Sequence, residues 1–182
     1  MGIRKNLNAN HVLISVFDKK KLFYLCKNFK KFKYKFISTG STYKEIKSLG
    51  FDCIELSKIT KFRELFDGRV KTLNPKVFGS ILHIRDNKKH SKEYKYLNMP
   101  LINIVVVNFY PFKKTSYKKD ENKIIEMIDI GGPSLIRAAS KNYKYVTSIS
   151  SESDYKNLIK NLKLNDGFTD IIFRKKMASK SF

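Results

Sequence analysis

The run Leu101-Ile-Asn-Ile-Val-Val-Val107 constrains the fold of this chain more than any other stretch. Only Asn103 interrupts its apolar character, and five of its seven residues are β-branched. A strand with one face in water alternates apolar and polar residues, whereas a strand covered on both faces is apolar throughout. The run therefore predicts a central strand of a parallel sheet.

Shorter apolar segments predict the other strands, and amphipathic segments between them predict helices. We expect strands at 12–17, 34–38, 52–56, 101–107 and 146–149, and helices around 22–29, 46–49, 76–82, 124–128, 153–162 and 168–182, with a surface helix or loop over 86–99. This alternation is typical of an α/β fold with a parallel sheet. Because no repeat or linker interrupts it, we expect a flexible segment at 1–10 and a single domain over 11–182.

Local features add three expectations about individual residues. Asp18 stands where the N-cap of the first helix belongs. Pro133 stands at the first expected position of the helix that follows a glycine-rich turn. The segment 57–68 lacks a regular pattern, and we expect three apolar side chains to anchor it in the core: Phe62, Leu65 and Phe66.

The net charge of +22 raises the question of nucleic-acid binding. Of the 38 basic residues 32 are lysines, and the chain is also rich in asparagine, isoleucine, phenylalanine and tyrosine. These residue types share A/T-rich codons, so genomic base composition accounts for the excess. Because the lysines are spread through every segment, we expect no nucleic-acid partner.

The two cysteines and the apolar runs indicate the cellular setting. Cys26 and Cys53 form no C-x-x-C pair and have no histidine at metal-ligand spacing, so we expect reduced thiols in the core. The longest early apolar run, 12–17, is too short for a signal peptide or a membrane span. We therefore expect a soluble, cytoplasmic protein without a membrane partner.

Polar turns follow the predicted strands at the edge where open α/β sheets bind ligands. Asp18 and Lys19 follow the first strand, 39–42 follows the second, and Asn108 and Tyr110 follow the central strand. The hydroxyl and N–H groups of 39–42 open a helix, which suits a phosphate. Each turn alone is ordinary capping, but together they predict a site for a phosphate-bearing small molecule.

Two further turns add charge to this expected site. The segment Asp67-Gly-Arg-Val-Lys-Thr-Leu-Asn-Pro75 places Arg69, Lys71 and Thr72 on a turn that can close around an anion. Asp129-Ile-Gly-Gly132 is a glycine-rich turn before a helix. Both segments are expected at the same edge of the sheet.

The helix after Gly132 has a polar face that is either solvated or a wall of the site. Its residues Ser134, Arg137 and Lys141 share that face, whereas an apolar set is expected to pack against the sheet: Leu135, Ala138 and Ala139. The titratable groups near the site are Lys71, Tyr110, Asp129 and Lys141, with no nucleophile beside a histidine. Proton transfer is therefore favoured over covalent or metal catalysis.

Six segments occur together in an order and spacing that resemble one family: Ile14-Ser-Val-Phe-Asp-Lys19, Ile37-Ser-Thr-Gly-Ser-Thr42, Asp67 to Pro75, Val106-Val-Asn-Phe-Tyr-Pro-Phe112, Ile128-Asp-Ile-Gly-Gly-Pro-Ser134 and Arg137-Ala-Ala-Ser-Lys-Asn142. They resemble the inosine monophosphate cyclohydrolase domain of the bifunctional purine biosynthesis enzyme, over roughly residues 11–182. The resemblance implies a methylglyoxal-synthase-like, three-layer α/β fold with a mainly parallel central sheet. It also implies a homodimer that closes 5-formamidoimidazole-4-carboxamide ribotide to inosine monophosphate and water, without a cofactor or metal.

The resemblance also implies which residues act. The nucleotide-binding positions fall on Phe17, Asp18, Lys19, Thr39, Gly40, Ser41, Thr42, Arg69, Val70, Thr72, Val107, Asn108, Ile130 and Gly131. The proton-transfer lysine matches Lys141, and the other catalytic positions match Lys71, Tyr110 and Asp129. On this basis Asp129 orients the reacting groups, Lys141 stabilises charge on the formyl oxygen, and Lys71 relays protons with Tyr110.

The chain departs from the family pattern in residues and in length. Asn74 replaces a histidine, and Ser41 and Ser80 interrupt glycine pairs. The sequence does not continue into the family's transformylase domain, so we expect either a stand-alone cyclohydrolase or a truncated relic. Two other functions stay open: a non-catalytic nucleotide- or phosphate-binding regulatory module on the same fold, and a basic nucleic-acid binder, which the scattered lysines disfavour.

Overall fold

A computed structural model of the protein describes residues 10–62, 65–66, 69–98, 100–109, 120–126 and 128–181. These residues form a sheet of five strands: β1 (His11–Val16), β2 (Lys35–Ser38), β3 (Cys53–Glu55), β4 (Ile102–Asn108) and β5 (Thr147–Ile149). The strand order is β3-β2-β1-β4-β5, and each pairing is parallel. The predicted α/β fold is therefore confirmed. The expected flexible segment 1–10 lies, apart from Asn10, outside the described residues.

Helices connect the strands and cover both faces of the sheet. They are α1 (Leu22–Lys31), α2 (Gly40–Ser48), α3 (Leu56–Thr60), α4 (Pro75–Leu82), α5 (Lys88–Leu97), α6 (Glu121–Ile125), α7 (Gly131–Lys141), α8 (Tyr155–Leu164) and α9 (Ile171–Lys180), with a 3-10 turn at Glu152–Asp154. Among the described residues, no helix is both long and apolar enough to cross a membrane.

Alternate side chains of the inner strands fill two hydrophobic cores, one on each face. On one face Val12 packs with Leu25 of α1 and the apolar side of α8. On the other face Leu13 packs with Ile81 of α4 and Leu135 of α7. All seven residues of β4 are buried, because the strand lies between β1 and β5 with helices on both sides. The apolar run thus belongs to an interior strand, as predicted, and this strand lies next to the middle strand β1.

The segment 57–68 differs from its prediction. It begins inside α3, and its apolar side chains are exposed rather than buried: Phe62 by 46%, Leu65 by 40% and Phe66 by 71%. Leu65 and Val70 pair across a short antiparallel bridge, with N–O distances of 3.1 and 3.2 Å. This bridge pairs backbone groups of Leu65 and Val70 locally, and the expectation that these three side chains anchor the segment in the core was wrong.

Three smaller expectations were also wrong. Helix α1 begins at Leu22, and the Asp18 carboxylate instead accepts a hydrogen bond from the Lys20 N–H at 2.9 Å within the preceding turn. Pro133 is the third residue of α7 rather than the first. Helix α6 has only five residues, so Ile128 lies beyond its end and is 54% exposed instead of belonging to an amphipathic face.

Candidate functional site

The carboxyl ends of the strands border one cavity of about 600 Å³, a size typical of small-molecule sites. Its described lining residues are Ser15, Val16, Phe17, Thr39, Ser41, Thr42, Arg69, Lys71, Thr72, Asn108, Ile125, Glu126, Ile128, Asp129, Ile130, Gly131 and Gly132. The cavity thus brings together residues of three predicted polar turns, 39–42, 108–110 and 129–132, and of the 67–75 segment.

Asn108 ties the turn after β1 to the end of β4. Val16 and Asn108 are paired across the sheet, and the buried Asn108 side chain continues the connection. Its Oδ1 accepts from the Phe17 N–H at 2.6 Å and the Asp18 N–H at 3.0 Å, while its Nδ2 donates to the Asp18 carbonyl at 2.8 Å. Asn108 therefore shapes the wall of the cavity through its amide group.

Tyr155 supports Asn108 from the far side of the cavity wall. Its side chain is 2% exposed, and its hydroxyl group lies close to the Asn108 side chain. Burial raises the pKa of Tyr155 well above its usual range, so the phenol stays neutral. This residue was not predicted from the sequence, because a tyrosine at the start of a helix carries no sign of a contact with a strand 47 residues earlier.

Thr42 fastens the start of α2 to the end of β1. Its hydroxyl group accepts from the Val16 N–H at 3.2 Å and donates to the Val16 carbonyl at 3.0 Å. Both partners are buried, so this side chain satisfies two backbone groups that the sheet leaves unpaired. The contact places the N-terminus of α2, with Thr39 and Ser41, at the cavity.

Lys71 lies beside the N-terminus of α2. Its Nζ is 3.4 Å from the position that a Cβ on Gly40, the first residue of the helix, would occupy. Gly40 has a φ of +55°, a backbone conformation that favours glycine. The N-terminus of a helix carries partial positive charge, and the ammonium group adds a full one. An anion bound between them would interact favourably with both charges.

Thr72 and Asp129 pack closely against the start of α7. A Cβ on Gly131 would lie 2.5 Å from the Thr72 Oγ1, and one on Gly132 would lie 2.3 Å from the Asp129 Oδ2. The Asp129 Oδ1 accepts from the Gly132 N–H at 2.9 Å. Both glycines are thus required by close approach, and Asp129 is held at the positive end of the helix.

Arg69 is paired with Glu126, a residue that was not predicted to belong to the site. The guanidinium group and the carboxylate form an ion pair, and both side chains are more than half exposed. Two cations and two carboxylates therefore line the cavity among the described residues. Because Glu126 faces Arg69 and Asp129 faces the Gly132 N–H, Lys71 carries the positive charge best placed to attract an anion.

Six of the predicted site residues do not line the cavity: Asp18, Lys19, Gly40, Val70, Val107 and Lys141. The Lys19 ammonium group donates to the Phe17 carbonyl at 3.1 Å. Gly40 lies against Lys71, and Val107 lies behind Gly132. Lys141 is the exposed last residue of α7, ten positions and about 15 Å along the helix axis from Gly131.

Part of the predicted site cannot be placed. Tyr110, Asp67 and Gly68 lie outside the described residues. The polar face predicted for α7 is present, since Arg137 and Lys141 are exposed while the predicted apolar set is buried: Leu135, Ala138 and Ala139.

Asn74, which stands where the resembling family has histidine, caps α4. Its Oδ1 accepts from the Lys76 N–H at 2.9 Å, and Pro75 is the first residue of the helix. This is a favoured N-terminal arrangement, because proline has no N–H to satisfy and asparagine accepts from the next donor. The substitution therefore has a structural role in this chain.

Other chemical groups lie away from the cavity. Burial raises the pKa of each thiol, Cys26 and Cys53, to about 12, so both are protonated at neutral pH. Among the described residues, no cluster of three or more histidine, cysteine, aspartate or glutamate side chains could hold a metal ion. The cavity offers a lysine, a carboxylate, hydroxyl groups and helix N–H groups.

This fold and this carboxyl-edge cavity define an α/β protein with a polar cavity that the N-termini of two helices border. The family model of the MGS-like domain matches residues 21–134. The chain belongs to the MGS-like domain family.

The bifunctional purine biosynthesis protein PurH of Clostridium botulinum strain Langeland is 46% identical over 171 residues, which cover 93% of this chain and 34% of that protein. The PurH protein of Thermoanaerobacter sp. strain X514 is 45% identical over 176 residues, or 96% of this chain and 34% of that protein. This chain thus spans about a third of the length of these curated relatives.

A solved structure with a similar fold is the crystal structure of ForH. It superposes with a TM-score of 0.85 and 28% sequence identity, covering 96% of this chain and 90% of that chain. The shared fold therefore extends over almost the whole of both chains.

Proposed function

We propose that this protein is a cytoplasmic inosine monophosphate cyclohydrolase of purine biosynthesis. The observation that carries the proposal is the position of Lys71 beside the N-terminus of α2, in one cavity with Asp129. Relatives that are about 45% identical over more than nine-tenths of the chain are named as purine biosynthesis proteins, which supports a purine nucleotide as substrate.

The phosphate of the substrate would bind at the N-terminus of α2. There the hydroxyl groups of Thr39 and Ser41 and the N–H groups at the start of the helix would bind the phosphate oxygens, which leaves the neighbouring Lys71 ammonium group for the reacting oxygen. Binding the phosphate at this end directs the imidazole ring toward the start of α7. Asp129 and the N–H groups of Gly131 and Gly132 are then near the reacting groups.

Ring closure forms a bond between the carboxamide nitrogen and the formyl carbon. One proton leaves the carboxamide nitrogen, another leaves the formamido nitrogen, and both reach the formyl oxygen, which departs as water. Asp129 would orient the amide and accept its proton, and Lys71 would stabilise and protonate the oxygen. Tyr110 remains part of the proposed proton relay.

Lys141 has a separate place in the proposal. The resemblance assigns it proton transfer, but it lies at the far end of α7 from Gly131. Ring closure is therefore proposed to depend on Lys71 and Asp129, and Lys141→Met tests the contribution of Lys141.

We also propose a homodimer. Three apolar side chains around the cavity are about half exposed: Phe17 at 49%, Ile128 at 54% and Ile130 at 56%. A second copy that covered them would remove apolar surface from water and close the cavity. Light scattering on the purified chain would give twice the 21.3 kDa monomer mass if this is correct, and the monomer mass if it is not.

The experiment that tests the activity follows ring closure of the formamido ribotide by its ultraviolet absorbance, with inosine monophosphate binding measured in parallel. Turnover would support the cyclohydrolase. Tight binding of inosine monophosphate without turnover would reject catalysis and favour a regulatory module. Neither turnover nor binding would reject both functions.

A further inference from the structure

A second cavity, of about 220 Å³, lies at the opposite edge of the sheet. Its described lining residues stand near the amino ends of β2, β4 and β5 and in or just before α9: Tyr34, Arg85, Asn103, Lys144, Tyr145, Phe168, Thr169 and Arg174. Three of these residues are cations and none is acidic. The lining of this cavity therefore concentrates positive charge, and Asp170, which caps α9 outside the lining, is near enough to Arg174 to interact with its charge.

Arg174 is held in a fixed orientation by backbone carbonyl groups. Its Nε donates to the Tyr143 carbonyl at 2.9 Å, its Nη2 to the Lys144 carbonyl at 2.9 Å, and its Nη1 to the Thr169 carbonyl. These contacts lock the plane of the guanidinium group. A positive charge that is already immobile loses little conformational entropy when it binds a ligand.

Arg85 is also held near the cavity, but one of its donors is unused. Its Nη2 donates to the Ile102 carbonyl at 2.9 Å, and its guanidinium carbon lies 5.8 Å from the centre of the Tyr145 ring. Its Nε is buried without a hydrogen-bond partner. Among the described residues Arg85 makes no ion pair, although the charge of Arg174 is close enough to lower its pKa further than burial already does.

Asn103 supplies the complementary unused group. It is 9% exposed, and its Oδ1 is buried without a partner. It is also the one polar residue in the apolar run 101–107. A buried donor and a buried acceptor without partners both cost free energy, which a ligand able to accept from Arg85 and donate to Asn103 would recover.

We propose that this cavity binds a phosphate group, carried either by free phosphate or by a small phosphate ester. Phosphate oxygens match the paired donors of arginine and the charge of lysine. The hydroxyl group of monohydrogen phosphate, or of a sugar ester, supplies the donor that Asn103 lacks. A simple carboxylate has no such donor. The site is separate from the carboxyl-edge cavity and does not depend on the proposed cyclohydrolase activity.

The test is a nitrogen–proton correlation spectrum of the labelled protein, recorded in phosphate-free buffer during titration with inorganic phosphate. The amides of Asn103 and Tyr145 report on the amino edge, and those of Thr39 and Gly131 report on the carboxyl edge. Saturable shifts at the amino edge are expected. A titration in which shifts occur at the carboxyl edge alone, or nowhere, overturns the proposal.

Two variants locate the site. Asn103→Asp places a carboxylate among the three cations and should raise the Kd for the amino-edge shifts by about tenfold or more. Asn157→Asp makes the same charge change on the exposed side of α8 and should leave that Kd unchanged. Equal effects of the two substitutions would contradict the proposal. If Asn103→Asp does not fold, the exposed Lys144→Met serves instead, with Lys156→Met on α8 as its control, and unchanged binding by Lys144→Met would be the contrary result.

A second titration with ribose 5-phosphate separates the two sources of the phosphate group. Tighter binding of the ester at the amino-edge amides assigns the site to a sugar phosphate. Equal or tighter binding of inorganic phosphate assigns it to the free ion. In both cases the Asn103→Asp variant must bind about tenfold or more weakly, and an unchanged Kd would contradict the assignment.

Discussion

Thr72 and Gly131 approach each other so closely that a methyl group on Gly131 would lie 2.5 Å from the Thr72 hydroxyl oxygen. Thr72 belongs to the segment before α4, and Gly131 is the first residue of α7. Their contact joins two walls of the carboxyl-edge cavity, one with Lys71 and the other with Asp129. The distance between Lys71 and Asp129 therefore depends on the absence of a side chain at Gly131.

We expect Gly131→Ala to lower the free energy of unfolding by about 1–3 kcal/mol, because the added methyl group forces the two walls apart. Urea denaturation measures this change. The double variant Gly131→Ala with Thr72→Ala removes the opposing oxygen. Gly131→Ala should therefore cost much less unfolding free energy in the Thr72→Ala background than in the wild type. Simple addition of the two single effects would mean that the contact does not limit this position.

Asn108→Ala should weaken both the fold and the ligand site. The substitution leaves the Phe17 and Asp18 N–H groups without their acceptor, at a cost of about 1–3 kcal/mol in unfolding free energy. Because the turn after β1 then moves, inosine monophosphate should bind more weakly by calorimetry. Asn157→Ala, on the exposed side of α8, is the matched control and should change neither quantity.

Asn74→Ala should lower the free energy of unfolding by about 1 kcal/mol, because α4 loses the acceptor for the Lys76 N–H. Asn74→Ser keeps a capping oxygen and should stay within a few tenths of a kcal/mol of the wild type, as roughly expected for exchange between good caps. A loss of equal size in both variants would show that the cap is not what Asn74 contributes.

Asp170→Ala tests the cap of α9 and its dependence on pH. The Asp170 carboxylate accepts from the Phe173 N–H at 2.7 Å and from the Asn161 side chain at 2.6 Å, and these bonds hold its pKa below the usual 3.8. A depressed pKa in the folded state stabilises the protein above the pKa of the unfolded chain. The variant should therefore lose about 1 kcal/mol at pH 7.

That difference should shrink as the pH falls below about 4 and vanish once Asp170 is protonated in the folded protein as well. Thermal unfolding of the wild type and the variant, measured across about pH 2–7, provides the comparison. A difference that is independent of pH would contradict a role for the ionised carboxylate.

Lys141→Met tests the proton-transfer role that the resemblance implies for this lysine. Since Lys141 is exposed at the far end of α7, we expect Lys141→Met to keep a kcat/KM for ring closure about tenfold higher than that of Lys71→Met. Steady-state kinetics on the two variants gives the comparison. A larger loss with Lys141→Met would assign the proton-transfer role to that residue and require it to reach the cavity.

Local sequence patterns predicted the sheet and much of the cavity for clear physical reasons. The apolar run 101–107 belongs to a strand that is buried on both faces, and the parallel topology brings the turns that follow the strands to one edge. Thr39 and Asn108 could therefore be assigned to the cavity without knowledge of any contact.

The features that could not be predicted depend on tertiary contacts. Glu126 contacts Arg69 across 57 positions of sequence, and Tyr155 lies close to Asn108 across 47 positions. No local sequence pattern indicates either contact. The exposure of Phe66 follows from a local bridge between Leu65 and Val70, which hydrophobicity alone does not indicate. The pattern on α7 identified its exposed face correctly but could not say that Lys141 lies away from the cavity.

The most direct test of the central claim is kcat/KM for closure of the formamido ribotide by the wild type, Lys71→Met and Lys44→Met. Lys44 is an exposed lysine of α2 outside the cavity, so its variant removes the same charge without changing the cavity wall. We predict turnover by the wild type and Lys44→Met, and a loss of about 100-fold or more in Lys71→Met. Equal kcat/KM for the two variants, or no turnover by the wild type, would contradict the account.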